Sequence, residues 1–151
     1  MTSSRHTKIR KPINADALLR LSLHYVGRYA TSRAKLAAYL RRKIQERGWA
    51  DSEPADIDAI VARCVALGYV DDRAFAQTKA ASLGRRGYGE RRIGVALHAA
   101  GIDKELAAEM LPDAGAAELA ALTYAQRKRI GPFGDEPVDP KLRHRQFSAM
   151  I

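Results

Sequence analysis

Four arginines crowd one glycine-rich turn. Arg85-Arg86-Gly87-Tyr88-Gly89-Glu90-Arg91-Arg92 places guanidinium groups on both sides of a tyrosine and two glycines. A guanidinium is a planar fork of N–H donors that matches phosphate or carboxylate, so the chemistry this stretch suits is anion capture. If Gly89 opens a helix, the first amides of that helix add partial positive charge. The competing structural reading is a tight turn that only needs glycine, with arginines paired to nearby acids. Two further basic runs are Arg41-Arg42-Lys43 and Arg127-Lys128-Arg129. The second would also complement the C-terminal end of a helix. Tyr25, Tyr29, Tyr39 and Tyr88 interleave with these bases, as a nucleic-acid surface requires. Tyr25, Tyr29 and Tyr69 also follow apolar spacing or a capping contact, which places them in or beside the core.

No residue set suggests catalysis. Gly-Tyr-Gly-Glu-Arg-Arg lacks the Gly-Lys-Ser/Thr ending of a phosphate-binding loop, and it lacks the preceding strand of a dinucleotide fingerprint. His6, His24, His98 and His144 are scattered, with no pair at a metal-ligand spacing and no cysteine beside them. Cys64, the single cysteine, cannot form an intrachain disulfide. It sits on the apolar side of a helical pattern with Ile57, Ile60 and Val61 and reads as a small buried hydrophobe. No cofactor and no metal is expected. No apolar run reaches membrane-spanning length and no secretory signal is evident, so the expected location is the cytoplasm.

The basic residues must be positioned by helices. The 151-residue chain is 46% hydrophobic but only 7% aromatic, which favours closely packed thin helices over a thick β core. No stretch alternates with period two beyond a few residues. Residues 1–13 read as a basic flexible tail. A first helix is expected from Asn14, with Leu18, Leu21, Tyr25, Val26 and Tyr29 on one face. A second, capped by Ser32, carries Leu36, Leu40 and Ile44 up to Gly48. A third runs from about Pro54 to Leu67. Leu67-Gly-Tyr-Val-Asp-Asp-Arg-Ala-Phe-Ala is then a helix stop, a joint and a helix start: Gly68 suits the left-handed conformation, Asp71 an N-cap, and Asp72 the positive end of the next helix. The fourth helix carries Phe75, Ala76, Lys79 and Leu83. The fifth carries Ile93 and Leu97 and stops before Gly101. The sixth is capped by Asp103 and stops at Pro112. A seventh spans about Gly115 to Ile130 with Leu119, Leu122 and Ala125 inward. After the linker Gly131–Pro137, Asp139-Pro140 starts an eighth.

The pattern repeats. Ser32, Leu36 and Leu40 recur 57 residues later as Gly89, Ile93 and Leu97, and Leu18 recurs as Phe75. Gly48 and Gly101 are only 53 apart, so the first unit has one extra helical turn. The expected fold is all-α with no β-sheet: tandem three-helix units stacked into an elongated, curved array. The units are 14–70, 71–114 and an incomplete third of two helices, 115–151. Charge follows the repeat. Residues 17–50 hold eight bases and one acid, and residues 51–72 one base and six acids. Residues 73–100 hold six bases and one acid, and residues 101–122 one base and five acids. Stacked units would then present a basic stripe beside an acidic one. Ordinary solvated helix surface is the alternative. The net charge of +9 favours an anionic partner such as nucleic acid or an acidic protein surface.

The joint and the repeat together resemble the RecX family, bacterial regulators of the RecA recombinase. The matching residues are Gly68 to Ala76, then Gly87-Tyr88-Gly89-Glu90-Arg91-Arg92-Ile93, then Ala96-Leu97 and Gly101-Ile102, with Tyr29-Ala30-Thr31-Ser32-Arg33 in the first repeat and the basic end Ala125-Gln-Arg-Lys-Arg. The extra turn in the first repeat departs from the family, which also completes a third three-helix unit. The resemblance implies a regulatory protein, not an enzyme. It would lie along the groove of the RecA–DNA filament and bridge neighbouring protomers. By blocking or destabilising the filament it would lower ATP hydrolysis, strand exchange and co-protease activity in DNA repair and the SOS response. The implied partners are RecA and single-stranded or filament-bound DNA, held by electrostatics, with no membrane, and the protein acting as a monomer. The residues expected to carry binding are Arg41, Arg42, Lys43, Arg85, Arg86, Arg91, Arg92, Arg127, Lys128 and Arg129. The rival reading is a stand-alone basic helical DNA-binding protein of tandem helix-turn-helix type, although no helix concentrates Asn, Gln and Arg as a base-reading face would.

Overall fold

The computed structural model describes residues 11–134 and 139–150. The tail bases Arg5, Lys8 and Arg10, and the linker residues Asp135, Glu136 and Pro137, lie outside the described residues. The described residues form eight α-helices: α1 (Ala15–Val26), α2 (Arg33–Arg47), α3 (Ile57–Ala66), α4 (Asp72–Arg85), α5 (Glu90–Ala99), α6 (Lys104–Glu109), α7 (Ala114–Lys128) and α8 (Pro140–Met150). A 3-10 turn at Gly131–Phe133 follows α7. Among the described residues there is no strand, and one isolated parallel bridge joins Ile13 to Trp49. The fold is all-α. The chain divides into two compact units, Met1–Asp72 and Arg73–Ile151.

In the first unit the apolar faces of α1, α2 and α3 meet. Leu18, Leu36, Leu40, Val61, Cys64 and Val70 are buried together. Burial of each large side chain contributes about 1.5–3 kcal/mol. Gly68 ends α3 at φ 75°, and the amides of Gly68 and Tyr69 donate to the carbonyls of Val65 and Cys64. This left-handed closure folds Val70 into the core at 2% exposure. Ile13 is also fully buried: its amide donates to the Gly48 carbonyl and its carbonyl accepts from Ala50. Residues 11–13, expected within the flexible tail, are therefore anchored, and Arg47 adds two hydrogen bonds to the Lys11 carbonyl.

The second unit repeats the scheme with smaller residues. Ala76, Ala80, Leu83, Ile93, Leu97 and Ile102 form its core. Ile93 and Leu97 are as buried as their counterparts Leu36 and Leu40. Phe75, the counterpart of Leu18, is only partly buried, and Ala76 takes the fully buried place beside it. Arg73 pairs with Glu109 at 2.7 Å and ties the start of α4 to the end of α6.

Side-chain caps start most helices. Asn14, Ser32, Asp56, Asp103, Asp113 and Asp139 accept from the amides of Ala17, Lys35, Ala59, Leu106, Ala116 and Leu142. Two further expectations fail. The third helix begins at Ile57 rather than near Pro54, because the Asp56 carboxylate sets the start. Leu119 and Leu122 on α7 are 65% and 47% exposed, and the buried positions are Ala120 and Ala125. Small residues are needed there because the backbone of Gly87 approaches α7 closely: a Cβ at Gly87 would lie 2.8 Å from the Tyr124 nitrogen and 3.0 Å from the Ala120 oxygen. Tyr29 and Tyr69, expected in the core or half-buried, are 54% and 53% exposed, about half-buried and outside the core.

Candidate anion-binding site

The glycine-rich turn joins α4 to α5 in the second unit. At the end of α4, the amides of Arg86 and Tyr88 donate to the Leu83 carbonyl and that of Gly87 to Gly84. Gly87 has φ 80° and is buried against α7, which no L residue with a Cβ could match at that spacing. This places Tyr88 between α5 and α7, half-buried against the core.

Three guanidinium groups gather around the Tyr88 ring. Arg86 from the turn lies 5.2 Å from the ring centroid, Arg92 from α5 lies 5.4 Å away, and Arg127 from α7 lies 5.6 Å away. Arg127 also lies 5.8 Å from the Tyr124 ring. Each such contact is worth about 0.5–1 kcal/mol at an exposed site, and the guanidinium keeps its N–H donors free for another partner. Among the described residues, Arg86, Arg91, Arg92 and Arg127 take part in no ion pair. The adjoining cavity, about 720 Å³, is walled by Tyr88, Glu90, Arg91, Arg92 and Val95 on the α5 side, by Ala117, Ala121 and Tyr124 on α7, and by Ala149 on α8. Gly89 gives α5 no side-chain cap.

The other expected residues are placed differently. Arg85 is exposed and lines a separate hollow of about 490 Å³ between α4, α6 and α7. Lys128 is exposed on the last turn of α7. Arg129 closes α7 in the left-handed conformation at φ 52°, a backbone role. In the first unit the three bases of the run meet two exposed acids. Arg42 and Lys43 share Glu46 at 3.5 and 2.7 Å, and Arg41 faces Asp58 at 4.0 Å. Arg42 and Lys43 also lie 5.7 Å from the Tyr39 ring, which stacks on Tyr25 at 4.1 Å.

Tyr124 is the site residue that the sequence reading missed. Its signal was there: it stands three residues before Arg127, the spacing that brings side chains together on a helix. No group of three or more His, Cys, Asp or Glu able to hold a metal ion occurs among the described residues, and no helix there is long and apolar enough to cross a membrane.

Comparison with known proteins adds the family. The family model described as "RecX, second three-helix domain" matches residues 71–111, which span α4 to α6 and the arginine turn. A protein of Myxococcus xanthus named "Regulatory protein RecX" is 34% identical over 144 residues, covering 88% of this chain and 75% of the relative. Proteins of the same name from Thermus thermophilus and Pectobacterium atrosepticum are 34% and 32% identical, over 74% and 76% of this chain and 72% and 74% of their own lengths. With the arginine turn inside the matched family model, and a relative 34% identical of which the chain covers 75%, the chain belongs to the RecX family.

Proposed function

We propose that this chain is a regulator of the RecA recombinase. It binds the RecA–DNA filament and lowers its ATPase, strand-exchange and co-protease activities in DNA repair, without chemistry, metal or cofactor of its own. It acts as a cytoplasmic monomer built of three-helix units, α7 and α8 being the first two helices of a third. The observation that carries this reading is the likeness over most of its length to proteins named as RecX regulatory proteins. The arginines give it a physical basis. Arg86, Arg91, Arg92 and Arg127, which take part in no ion pair among the described residues, and Arg85 and Lys128 near the same helix ends, present positive charge that a phosphate backbone or an acidic RecA surface would balance, with Arg129 beside them. Arg41, Arg42 and Lys43 contribute less, since their acids already screen them.

The test is RecA ATP hydrolysis on single-stranded DNA with this protein added well below stoichiometry. Inhibition is expected, and the double variant Arg91→Glu/Arg92→Glu should lose most of it with the fold intact by circular dichroism. Absence of inhibition together with sequence-specific duplex binding would favour the stand-alone DNA-binding reading instead.

A further inference from the structure

The cavity beside Tyr88 has the make-up of a small-molecule site. Its volume of about 720 Å³ falls in the range of ligand pockets, about 300–1,000 Å³. Its surroundings are cationic. Arg91 and Arg92 stand on its wall, and Arg86 and Arg127 sit over the tyrosine that lines it. A single protein carboxylate would balance only one of these charges. A phosphate group carries about −1.5 to −2 and offers three acceptor oxygens, so a phosphorylated ligand matches the cluster better. The rest of the lining is aromatic and apolar: Tyr124, Val95, Ala117, Ala121 and Ala149. Bases stack on such surfaces irrespective of sequence. Glu90, the one carboxylate on the wall, is an acceptor suited to ribose hydroxyls.

We propose that this cavity binds a single phosphorylated nucleotide, phosphates among the arginines and base against the α7 wall. The proposal deepens the filament-binding reading and rests on its assignment of these arginines as anion ligands. Two sources share this chemistry: a free nucleoside triphosphate and the 5′-phosphorylated end of a DNA strand.

The full chain would be titrated at fixed ionic strength by calorimetry, without RecA, against ATP, adenosine, inorganic triphosphate, and a trinucleotide with or without a 5′-phosphate. Binding of ATP at least about tenfold tighter than either adenosine or inorganic triphosphate assigns a free nucleotide. Preference for the 5′-phosphorylated trinucleotide over both ATP and its unphosphorylated form assigns the strand end. Ala121→Trp, a substitution at an exposed α7 position, fills the cavity without touching a charge and should weaken the preferred ligand about tenfold. Arg92→Gln should weaken phosphorylated ligands and leave adenosine unchanged, which keeps the test decisive if the tryptophan variant does not fold. Inorganic triphosphate binding as tightly as ATP, or affinities unmoved by both variants, overturns the proposal. RecA inhibition without nucleotide binding overturns it alone, and nucleotide binding without inhibition overturns only the filament reading.

Discussion

Ala30-Thr31-Ser32 and Gly87-Tyr88-Gly89 occupy equivalent places in repeats 57 residues apart, and the two units close them by different means. In the first unit Thr31 and Ser32 are buried, the backbone needs no left-handed residue at Ala30, and the Ser32 hydroxyl caps α2. The Asp72 carboxylate also accepts from the Arg33 amide at 2.8 Å, so the start of α2 is satisfied twice over. In the second unit a left-handed glycine lies against α7, a tyrosine replaces the threonine, and the start of α5 has no side-chain cap. The basic residues differ in their acids: Arg41, Arg42 and Lys43 meet Asp58 and Glu46, and Arg42 and Lys43 also lie over Tyr39, whereas Arg86, Arg92 and Arg127 lie over Tyr88 with no ion pair among the described residues. A surface that satisfies its own polar groups has little to offer a ligand. The second unit keeps its donors available, and that is where binding should concentrate.

The largest expected effect tests the close approach to α7. Gly87→Ala should destabilise the second unit by about 2–4 kcal/mol, because the new methyl meets backbone atoms as well as an unfavourable φ. Gly68→Ala has a similar φ but nothing within 4 Å, so it should cost only about 1 kcal/mol. Equal urea-unfolding losses for the two would erase this distinction. Next, Ser32→Ala removes a buried cap and should cost about 1–2 kcal/mol in the same measurement.

Charge reversal should separate the units more finely. Arg41→Glu/Arg42→Glu sets new acids beside Glu46 and Asp58 and should lower stability by about 0.5–1 kcal/mol. Arg86→Glu/Arg92→Glu relieves like-charge crowding but loses two cation–π contacts with Tyr88, so it should lower stability by no more than about 1–2 kcal/mol. It should also lower the slope of log affinity for a single-stranded oligonucleotide against log salt by about 1–2. If the first pair changes that slope as much as the second, the pairing seen in the first unit does not mask its charge. The smallest effect is Gly89→Ser. Nothing lies within 4 Å of its Cβ direction, and a new cap should add a few tenths of a kcal/mol.

Local signals carried most of the fold into view from sequence. Asn14, Ser32, Asp103 and Asp139 mark helix starts because a cap needs only its own amide three residues on. Leu36, Leu40, Ile93 and Leu97 recur because each helix must bury one face. What escaped was long-range. The inward face of α7 is decided by Gly87, distant in sequence, so the leucines lost to the alanines. The acidic blocks read as a surface stripe, yet Asp51, Asp56, Asp72, Asp103 and Asp113 each accept from the amide of a residue near a helix start. Their charge is used inside the architecture. Of the arginine site, the turn and its bases were evident, but not the convergence of Arg127 with Arg86 and Arg92, which depends on tertiary packing.

Cys64 gives experiments on this asymmetry a natural clock. The thiol is 1% exposed in the core of the first unit, and the chain has no other. A thiol reagent can therefore label the protein only when that core opens, and its rate under native conditions measures the opening of the first unit. Trp49, the single tryptophan, reports on the same unit by fluorescence. Ligand occupancy of the arginine cluster, read by calorimetry, and opening of the first unit, read by its thiol and its indole, can therefore be followed separately in one unmodified chain.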